Sequence, residues 1–543
     1  MVQAIDTPTT TTDNPPKCTL YDTIPFGLTS PALTPSGSSL PNRRRYLIGF
    51  FYKHLDFRLP ETHCLAEMFY SSYLAKQTST PTTDACSQPT STTSNNNNAT
   101  TTTTTAPFII WEQPLHGATA TPYWYVHVPD TEYSEHILRQ VSRRSMLIRF
   151  IVDPLIESVD GWDDLRHQIS CNTTELQRPE YCGEEESFKM VLDSFGKTYT
   201  LPEKVGLIDS IVMCTSFTGR IDLKTPKHTW YVVECDPPRR PSLPLLPTLY
   251  YFGRQIDVLV PEAGEVRCRS LLKKYDLRTR RYLGPTSMDP ELSYIMCAVG
   301  RVLPSCLFLD PFVGTGSVLV AAADIGAHTL GIDIDIRVLQ KGKTDAQGEG
   351  VNIWTSFSDY ALPMPLGILR ADVHRLPLRP GLTSIVDCIV ADPPYGVRAG
   401  ARKSKANAEM TIVDRTTHVT STAPYPLAEC LRDLIQLAAQ VLVVGGSLVY
   451  WCPAAPGYYK EEELPTHPVL EMVANCEQPL ATRYSRRMIV MRKVREYDEE
   501  ESRGYWEGVG EPTMALDDIR GYVYSANGSG GVNTMPRFRC KRI

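Results

Sequence analysis

The sequence predicts an α/β protein with a doubly wound, mostly parallel sheet of seven strands in its C-terminal half, preceded by small α+β modules. Between residues 306 and 453 apolar strand signals alternate with helical segments, which is typical of a parallel sheet covered on both faces. The first four of these strands each end at an aspartate. With 543 residues, 42% of them hydrophobic, the chain has room for about two to four domains and cannot be wholly disordered.

The N-terminal part of the chain predicts two small modules. Residues 1–42 are rich in Pro, Thr and Ser without a periodic apolar pattern, so we expect a disordered tail. Residues 43–160 show the order strand, helix, strand, helix, strand, which predicts an α+β module. A low-complexity insertion at 77–105, with thirteen threonines and four consecutive asparagines, interrupts it and cannot bury a core. Two further strand signals within 161–250 predict a second α+β unit.

The C-terminal part is divided by its charge and by its apolar pattern. We expect a basic linker at 251–283, the parallel sheet and its helices at 284–495, and a tail with little pattern at 496–543. The last two strand signals of the sheet have no helix between them, which predicts an antiparallel pair at one edge.

The most basic part of the linker is the segment 267–281, which carries seven Lys or Arg and one acid. We expect Arg278, Arg280 and Arg281 to contact nucleic-acid phosphates, because binding follows local patches rather than the net charge, which is -6. The alternative interpretation is ordinary solvated surface charge.

Cysteine usage and hydropathy exclude several classes of protein. The fifteen cysteines are an odd number and include no C-x-x-C pair, which argues against a secreted disulfide framework and against a zinc ribbon within the chain. No run of about 18 apolar residues is present, so no membrane span is predicted. The cysteines and the hydropathy predict a soluble cytosolic or nuclear protein without a metal site, and of the two locations we expect the cytoplasmic one.

The first strand of the sheet leads into a glycine-bearing turn. Two glycines separated by one residue let the backbone turn sharply and approach a ligand, and the N–H groups of the next helix can meet an anionic group. A plain strand-to-helix turn is the alternative. The dinucleotide fingerprint would need a glycine at Leu319, so it is absent. The candidate ligand-binding residues lie in the run Asp310-Pro311-Phe312-Val313-Gly314-Thr315-Gly316.

The next two strands also end at candidate binding residues. Asp333, after the second strand, is placed to accept hydrogen bonds from ribose hydroxyls, although helix N-capping by Asp333 or Asp335 is an equal alternative. Asp372 follows the third strand, where an adenine amine could be read, although a turn aspartate is the simpler interpretation.

The fourth strand ends at a carboxylate followed by two prolines and an aromatic residue. The prolines stop the strand ladder and fix the backbone. A carboxylate, a carbonyl and an aromatic face at one point suit a planar amine that is held by two acceptors while its ring stacks. The predicted catalytic residues are therefore Asp392, Pro393, Pro394 and Tyr395.

Taken together, these motifs resemble the class I S-adenosylmethionine-dependent methyltransferases that modify amines. Upstream and downstream segments, in order, extend the resemblance to the catalytic subunit of the eukaryotic tRNA (guanine(10)-N(2))-methyltransferases. These segments are HLDFRLPE, GRIDLKTPKHTWYVVE, YFGR, GPTSMDPELSYIM, LVYWCP, HPVLEMVANCEQ and SRRMIVM.

The resemblance implies a Rossmann-like catalytic domain preceded by a ferredoxin-like module and a THUMP module that grips tRNA. It implies that S-adenosylmethionine is the cofactor, bound by Thr286 and by the candidate residues at the ends of the first three strands. The implied reaction is methylation of the 2-amino group of guanosine 10 in tRNA. It also implies a heterodimer with a small zinc-binding activator, which would pair with the edge strand at 366–370. Neither DNA nor a membrane is an expected partner.

Two other functions stay open at this point. An adenine-amine methyltransferase acting on nucleic acid would share Asp-Pro-Pro-Tyr, although the YFGR and GPTSMD segments disfavour it. A non-catalytic tRNA-binding scaffold could keep the fold, although intact Asp310, Asp333 and Asp392 speak against it. An enzyme that modifies a protein glutamine would usually have Asn at position 392.

Overall fold

The computed structural model describes twelve parts of the chain. The predicted tail at 1–42, the insertion at 77–105 and Tyr395 lie mostly or wholly outside them. The described residues are 33–34, 40–78, 107–112, 121–236, 247–258, 266–379, 381–394, 402–404, 422–455, 459–481, 484–510 and 514.

The N-terminal half forms an eight-stranded sheet whose order is β1-β3-β4-β2-β5-β8-β7-β6. Its strands are β1 (Leu33–Thr34), β2 (Arg43–Phe50), β3 (Ile110–Glu112), β4 (Tyr123–Pro129), β5 (Ile148–Ser158), β6 (Phe188–Phe195), β7 (His228–Cys235) and β8 (Leu249–Gln255). The helices are α1 (Arg58–Thr78), α2 (Glu132–Arg144), α3 (Trp162–Cys171), α4 (Thr173–Leu176), α5 (Pro179–Cys182) and α6 (Leu201–Val212).

Local sequence explains these elements. In α2 the buried residues Ile137, Leu138 and Val141 recur at helical spacing and face the core. A capping box begins α6, where Glu203 accepts a hydrogen bond from the backbone N–H of Thr200 at 2.7 Å. The predicted order strand, helix, strand, helix, strand is present as β2, α1, β4, α2 and β5.

The two predicted N-terminal modules share one continuous sheet. The eleven residues of β5 pair with β2 at one end and with β8 at the other, which joins the strands of both modules. The expected linker at 251–283 is wrong at its start, because β8 continues to Gln255 as a central strand. Within the expected tail, Leu33–Thr34 forms a short strand paired with β3, and α1 extends two residues into the expected insertion.

The C-terminal half contains the predicted seven-stranded sheet, in the order β13-β10-β9-β14-β17-β19-β18. The first five strands in this order are parallel and the last two are antiparallel, as predicted. The strands of this sheet are β9 (Leu307–Asp310), β10 (His328–Asp333), β13 (Gly367–Arg370), β14 (Val386–Ala391), β17 (Leu442–Ala454), β18 (Leu470–Ala481) and β19 (Tyr484–Lys493). Two separate antiparallel pairs accompany it, formed by β11 (Lys343–Thr344) with β12 (Gly350–Val351) and by β15 (Arg402–Ser404) with β16 (Thr422–Pro424).

Helices cover both faces of this sheet. They are α7 (Pro290–Val299), α8 (Ser317–Ile325), α9 (Ile353–Asp359), α10 (Leu427–Val441) and α11 (Glu499–Val509). The last of these corrects the expectation of a C-terminal tail from 496. Asp498 caps α11, and Trp506, only 9% exposed, packs in the apolar core between α10 and the sheet and donates a hydrogen bond to Gln436 at 2.7 Å. No helix in the described part of the chain is long and apolar enough to cross a membrane.

The two halves share a core. The ring of Phe57, just before α1, lies 5.9 Å from the ring of Trp451 in β17, measured between centroids. Asp56 accepts a hydrogen bond from the backbone N–H of Glu477 at 3.2 Å. Glu291 at the start of α7 pairs with Lys53 and, at 2.7 Å, with Arg269. The N-terminal sheet is thus fixed against the C-terminal sheet by apolar and ionic contacts.

Candidate active site

The strand order of the C-terminal sheet reverses between β9 and β14, which makes their carboxyl ends the switch point where ligands of such sheets bind. Asp310 ends β9 and Asp392 follows β14. Because β9 and β14 pair with each other, these two residues lie at neighbouring strand ends.

The loop between β9 and α8 has the conformation that its glycines were expected to permit. Gly314 and Gly316 have φ values of 48° and 77°, in the left-handed region that favours glycine. A Cβ at Gly316 would lie 2.8 Å from the side chain of Ile353. A Cβ at Gly314 would have no atom closer than 3.9 Å, so the loop faces open space there. This is a cradle that a ligand can approach closely.

Asp333 ties this loop to the end of β10. One carboxylate oxygen accepts a hydrogen bond from the Gly314 N–H at 2.9 Å, and the other accepts one from the Asp335 N–H at 2.8 Å. The second bond is a local turn contact, and the next helical turn, Arg337–Lys341, follows Ile336 with no side-chain cap. Burial raises the pKa of Asp333.

Asp310 is the most buried acid of the site, with 3% of its surface exposed. It accepts a hydrogen bond from the Phe312 N–H at 3.0 Å. Burial, with smaller contributions from the charges of Asp333 and Asp392, raises the pKa of Asp310 to about 8. The structure therefore brings three of the predicted acids close enough to influence one another.

The remaining loop residues occupy different positions. Pro311 is buried, while Thr286 is exposed in the turn at 284–287. The hydroxyls of Thr315 and Ser287 lie 2.7 Å apart, which joins that turn to the loop. Ser287 belongs to the GPTSM segment, and the sequence interpretation selected only its neighbour Thr286.

Asp372 caps a short helical turn at Val373–Arg375, where it accepts a hydrogen bond from the His374 N–H at 3.0 Å. The turn interpretation is therefore present in the structure, and it leaves the predicted adenine contact untested. His374 in turn lies 2.8 Å from Asp433, measured from Nδ1 to the carboxylate.

One group of side chains in the described residues has the spacing of a metal site, namely His374, Glu429 and Asp433. Lys403 pairs with Glu429, and the Tyr425 hydroxyl donates to Asp433. These ligand atoms already have protein partners, and the expectation that the enzyme uses no metal stays a prediction.

At the end of β14, Asp392 is half-buried and Pro393 is buried. A carboxylate oxygen of Asp392 lies 3.8 Å from Nη1 of Arg486. The Arg486 guanidinium stacks 3.9 Å above the ring centroid of Trp451 and donates to Gln478 at 2.7 Å. Arg486 was not selected from the sequence, although it lies in the quoted SRRMIVM segment.

The expected phosphate contacts of the basic segment are wrong for Arg280, which is only 7% exposed and donates to the Thr315 carbonyl. Arg278 pairs with Asp276, and Arg281 with Asp345 at 2.7 Å. The sequence showed the density of basic residues but not the acids and carbonyls that the fold brings to them.

Comparisons with known proteins agree with this geometry. The family model of the RMKL-like methyltransferase domain matches residues 278–423, and that of the Tmrp11 THUMP N-terminal domain matches residues 115–259. The chain is 32% identical to the tRNA (guanine(10)-N(2))-methyltransferase of Homo sapiens, over 84% of this chain and 89% of the human protein. The chain belongs to the tRNA (guanine(10)-N(2))-methyltransferase family.

Other members and one solved structure are similar to different extents. The family member from Dictyostelium discoideum is 35% identical over 70% of this chain and 74% of its own length. The crystal structure of TrmN from Thermus thermophilus covers 83% of this chain and 100% of its own, with 16% identity and a TM-score of 0.36.

Proposed function

We propose that the chain transfers a methyl group from S-adenosylmethionine to the exocyclic 2-amino group of guanosine 10 in tRNA. The observation that carries this proposal is the Asp392-Pro393-Pro394 corner at the switch point, directly beside the glycine loop and the acids of β9 and β10. Family membership supports the same reaction.

The cofactor fits the cradle by its chemistry. Its methionine end carries an ammonium group, which suits the buried carboxylate of Asp310, and its ribose hydroxyls suit the carboxylate of Asp333. The open space at Gly314 permits close approach of a ligand. When bound, the cofactor supplies an electrophilic methyl group on a sulfonium. We propose further contacts from Thr286, Pro311, Thr315, Gly316 and Asp372.

The other half of the site activates the amine. The lone pair of a guanine 2-amino group is delocalised into the ring, which makes it a poor nucleophile. Hydrogen bonds from its N–H groups to the Asp392 carboxylate and the Pro393 carbonyl would localise the lone pair and hold it in line. Asp392 then accepts the released proton. Pro394 fixes the corner, and we propose that Tyr395 stacks on the base, which must leave the RNA helix to react.

We also propose how the rest of the chain serves this reaction. The N-terminal sheet and its helices would grip the tRNA in the cytoplasm. A small zinc-binding activator subunit would cover the open edge of β13, where Leu366 and Leu369 are 63% and 56% exposed. Adding a strand there would satisfy backbone groups of β13 and bury these side chains.

The test is methylation of tRNA transcripts that carry guanosine or adenosine at position 10, by the chain co-expressed with its activator. We expect N2-methylguanosine in the first transcript and no product in the second. Methylated adenosine in the second would favour an adenine-amine methyltransferase. Failure to bind S-adenosylmethionine in calorimetry, with tRNA binding retained, would favour the non-catalytic scaffold.

A further inference from the structure

Arg280 lies under the glycine loop and reaches three separate elements. Its guanidinium donates to the carbonyl of Thr315 at 2.5 Å, to the hydroxyl of Ser317 at 2.8 Å and to the hydroxyl of Ser356 at 3.2 Å. Within the described part of the chain, no carboxylate lies within ion-pair distance of it. A buried arginine held only by neutral acceptors requires a physical explanation.

Burying this charge is costly. Burial lowers the pKa of Arg280 to about 10, so the side chain still carries its charge at neutral pH. It also lies at the first turn of α8, where the helix dipole is already positive. A structural need for packing alone would be met by an apolar side chain, since replacing buried charges by apolar residues is often neutral or stabilising.

The groups that accept hydrogen bonds from Arg280 belong to the glycine loop and to the two helices that contact it. Thr315 is held at its carbonyl by Arg280 and at its hydroxyl by Ser287, so both sides of this residue are fixed. Ser356 is in α9, and the same helix provides Ile353, which packs against Gly316. A lysine has one donor head on a flexible stem and could not reach three acceptors in three elements as a planar guanidinium does.

We propose that Arg280 is a positioning residue that sets the conformation of the loop at 311–316 for the cofactor, acting through Thr315 and Ser317 without touching the cofactor itself. This inference rests on the proposed function, because it assumes that the loop holds S-adenosylmethionine. It places a member of the basic segment in the cofactor site rather than on the RNA surface.

The test compares Arg280→Met, Arg280→Lys and the control Arg278→Met, in the chain co-expressed with its activator. Arg278 is two residues away, and its side chain is 88% exposed. Calorimetry with S-adenosylmethionine should show the dissociation constant raised about 10–100-fold in Arg280→Met, raised less in Arg280→Lys, and unchanged in the control. Without cofactor, amide hydrogen exchange at 311–317 should be faster in Arg280→Met than in the wild type, while β17 exchanges equally.

The outcomes separate this inference from the proposed function. Wild-type protein that does not bind S-adenosylmethionine would contradict the proposed function. Wild-type protein that binds it, with equal affinity in both Arg280 variants, would overturn the role of Arg280. If Arg280→Met does not fold, Arg280→Lys and Ser317→Ala decide: a raised dissociation constant with unchanged melting temperature supports the positioning role, and wild-type affinity in both rejects it.

Discussion

Asp392 and Asp310 lie at the ends of two neighbouring strands, but the two carboxyl groups have different surroundings. Asp392 is half-buried, and its carboxylate lies 3.8 Å from the Arg486 guanidinium. Asp310 is buried under the glycine loop, where solvent does not stabilise its charge. Substitutions at the two positions should therefore affect different measurable quantities.

Removing the Asp392 carboxylate should affect catalysis and leave cofactor binding intact. We expect Asp392→Ala to lower kcat by about 10²–10⁴-fold, because one of the two acceptors that orient the amine is lost. The dissociation constant of S-adenosylmethionine, measured by calorimetry, should stay at the wild-type value. The matched variant Asp333→Ala should show the reverse, with weakened cofactor binding. Wild-type turnover in Asp392→Ala would contradict the assignment of this carboxylate.

Cofactor affinity should depend on pH through Asp310. Burial raises its pKa to about 8, so below that pH most of the cofactor-free protein carries a proton on this carboxyl. Binding a cationic group must release that proton, and affinity should therefore rise as the pH increases from about 6 to 7.5. Over this range the cofactor's own α-amino group, with a pKa of about 7.7–8.0, stays mostly charged.

Calorimetry in two buffers with different ionisation enthalpies would measure the released protons. The Asp310→Asn variant should release none and should bind weakly at every pH. Without cofactor this variant should also be more stable than the wild type near pH 7.5. The folded-state pKa of Asp310, about 8, lies above its ordinary value of 3.8. Its contribution to stability therefore falls as the pH rises from the lower of these values to the higher. Binding without proton release would contradict the role given to Asp310.

At the scale of elements, the edge strand β13 shows both what sequence could predict and what it could not. Its place at the edge of the sheet is as predicted, and in the structure it lies beside β10. The sequence could not separate its two faces, because the strand has only four residues. In the structure Ile368 packs against the core, whereas Leu369 is 56% exposed.

This difference selects the substitution that tests the proposed activator contact. We expect Leu369→Glu to abolish co-purification of the activator without changing the melting temperature of the chain, because the side chain contributes little to the core. Leu480→Glu is the matched control, since Leu480 is 45% exposed on β18 at the opposite edge of the same sheet. Co-purification retained in Leu369→Glu, or lost in Leu480→Glu, would move the contact away from β13.

The strands of the C-terminal sheet and the acids at their ends were predictable because each signal is local, an apolar run that leads into an aspartate. The joining of the N-terminal modules was not, because it depends on β5 pairing with β2 and β8 over a long separation in sequence. Partners of charged side chains are equally non-local. Arg280 is 35 residues from the Thr315 carbonyl that it binds, and Arg281 is 64 residues from Asp345.

At the scale of the whole molecule, the contact between the two halves determines whether they behave as one unit. Glu291 is 4% exposed and accepts hydrogen bonds from Lys53 of the N-terminal half and Arg269 of the connecting segment. Arg269 also donates to the Met146 carbonyl at 2.6 Å, so this cluster joins both halves. Phe57 and Trp451 add an apolar contact beside it.

We therefore expect the full chain to unfold in one calorimetric transition. Glu291→Ala should lower the free energy of unfolding by about 1–3 kcal/mol, because it leaves two cations without their shared acceptor. Glu501→Ala, which removes an exposed pair with Arg495, should change it by less than about 1 kcal/mol. Two separate transitions in the wild type would contradict a shared folding unit.

The pH dependence of the same variants gives an independent check. Burial alone would raise the pKa of Glu291, but hydrogen bonds from Lys53 and Arg269 outweigh burial, and the pKa lies below its ordinary value of 4.5. Its stabilising contribution is therefore complete at neutral pH and is lost as the pH falls through the folded-state pKa. The stability difference between wild type and Glu291→Ala should shrink in acid for this reason. A difference that stays constant down to about pH 3 would mean that Glu291 stabilises the interface through packing rather than through its charge.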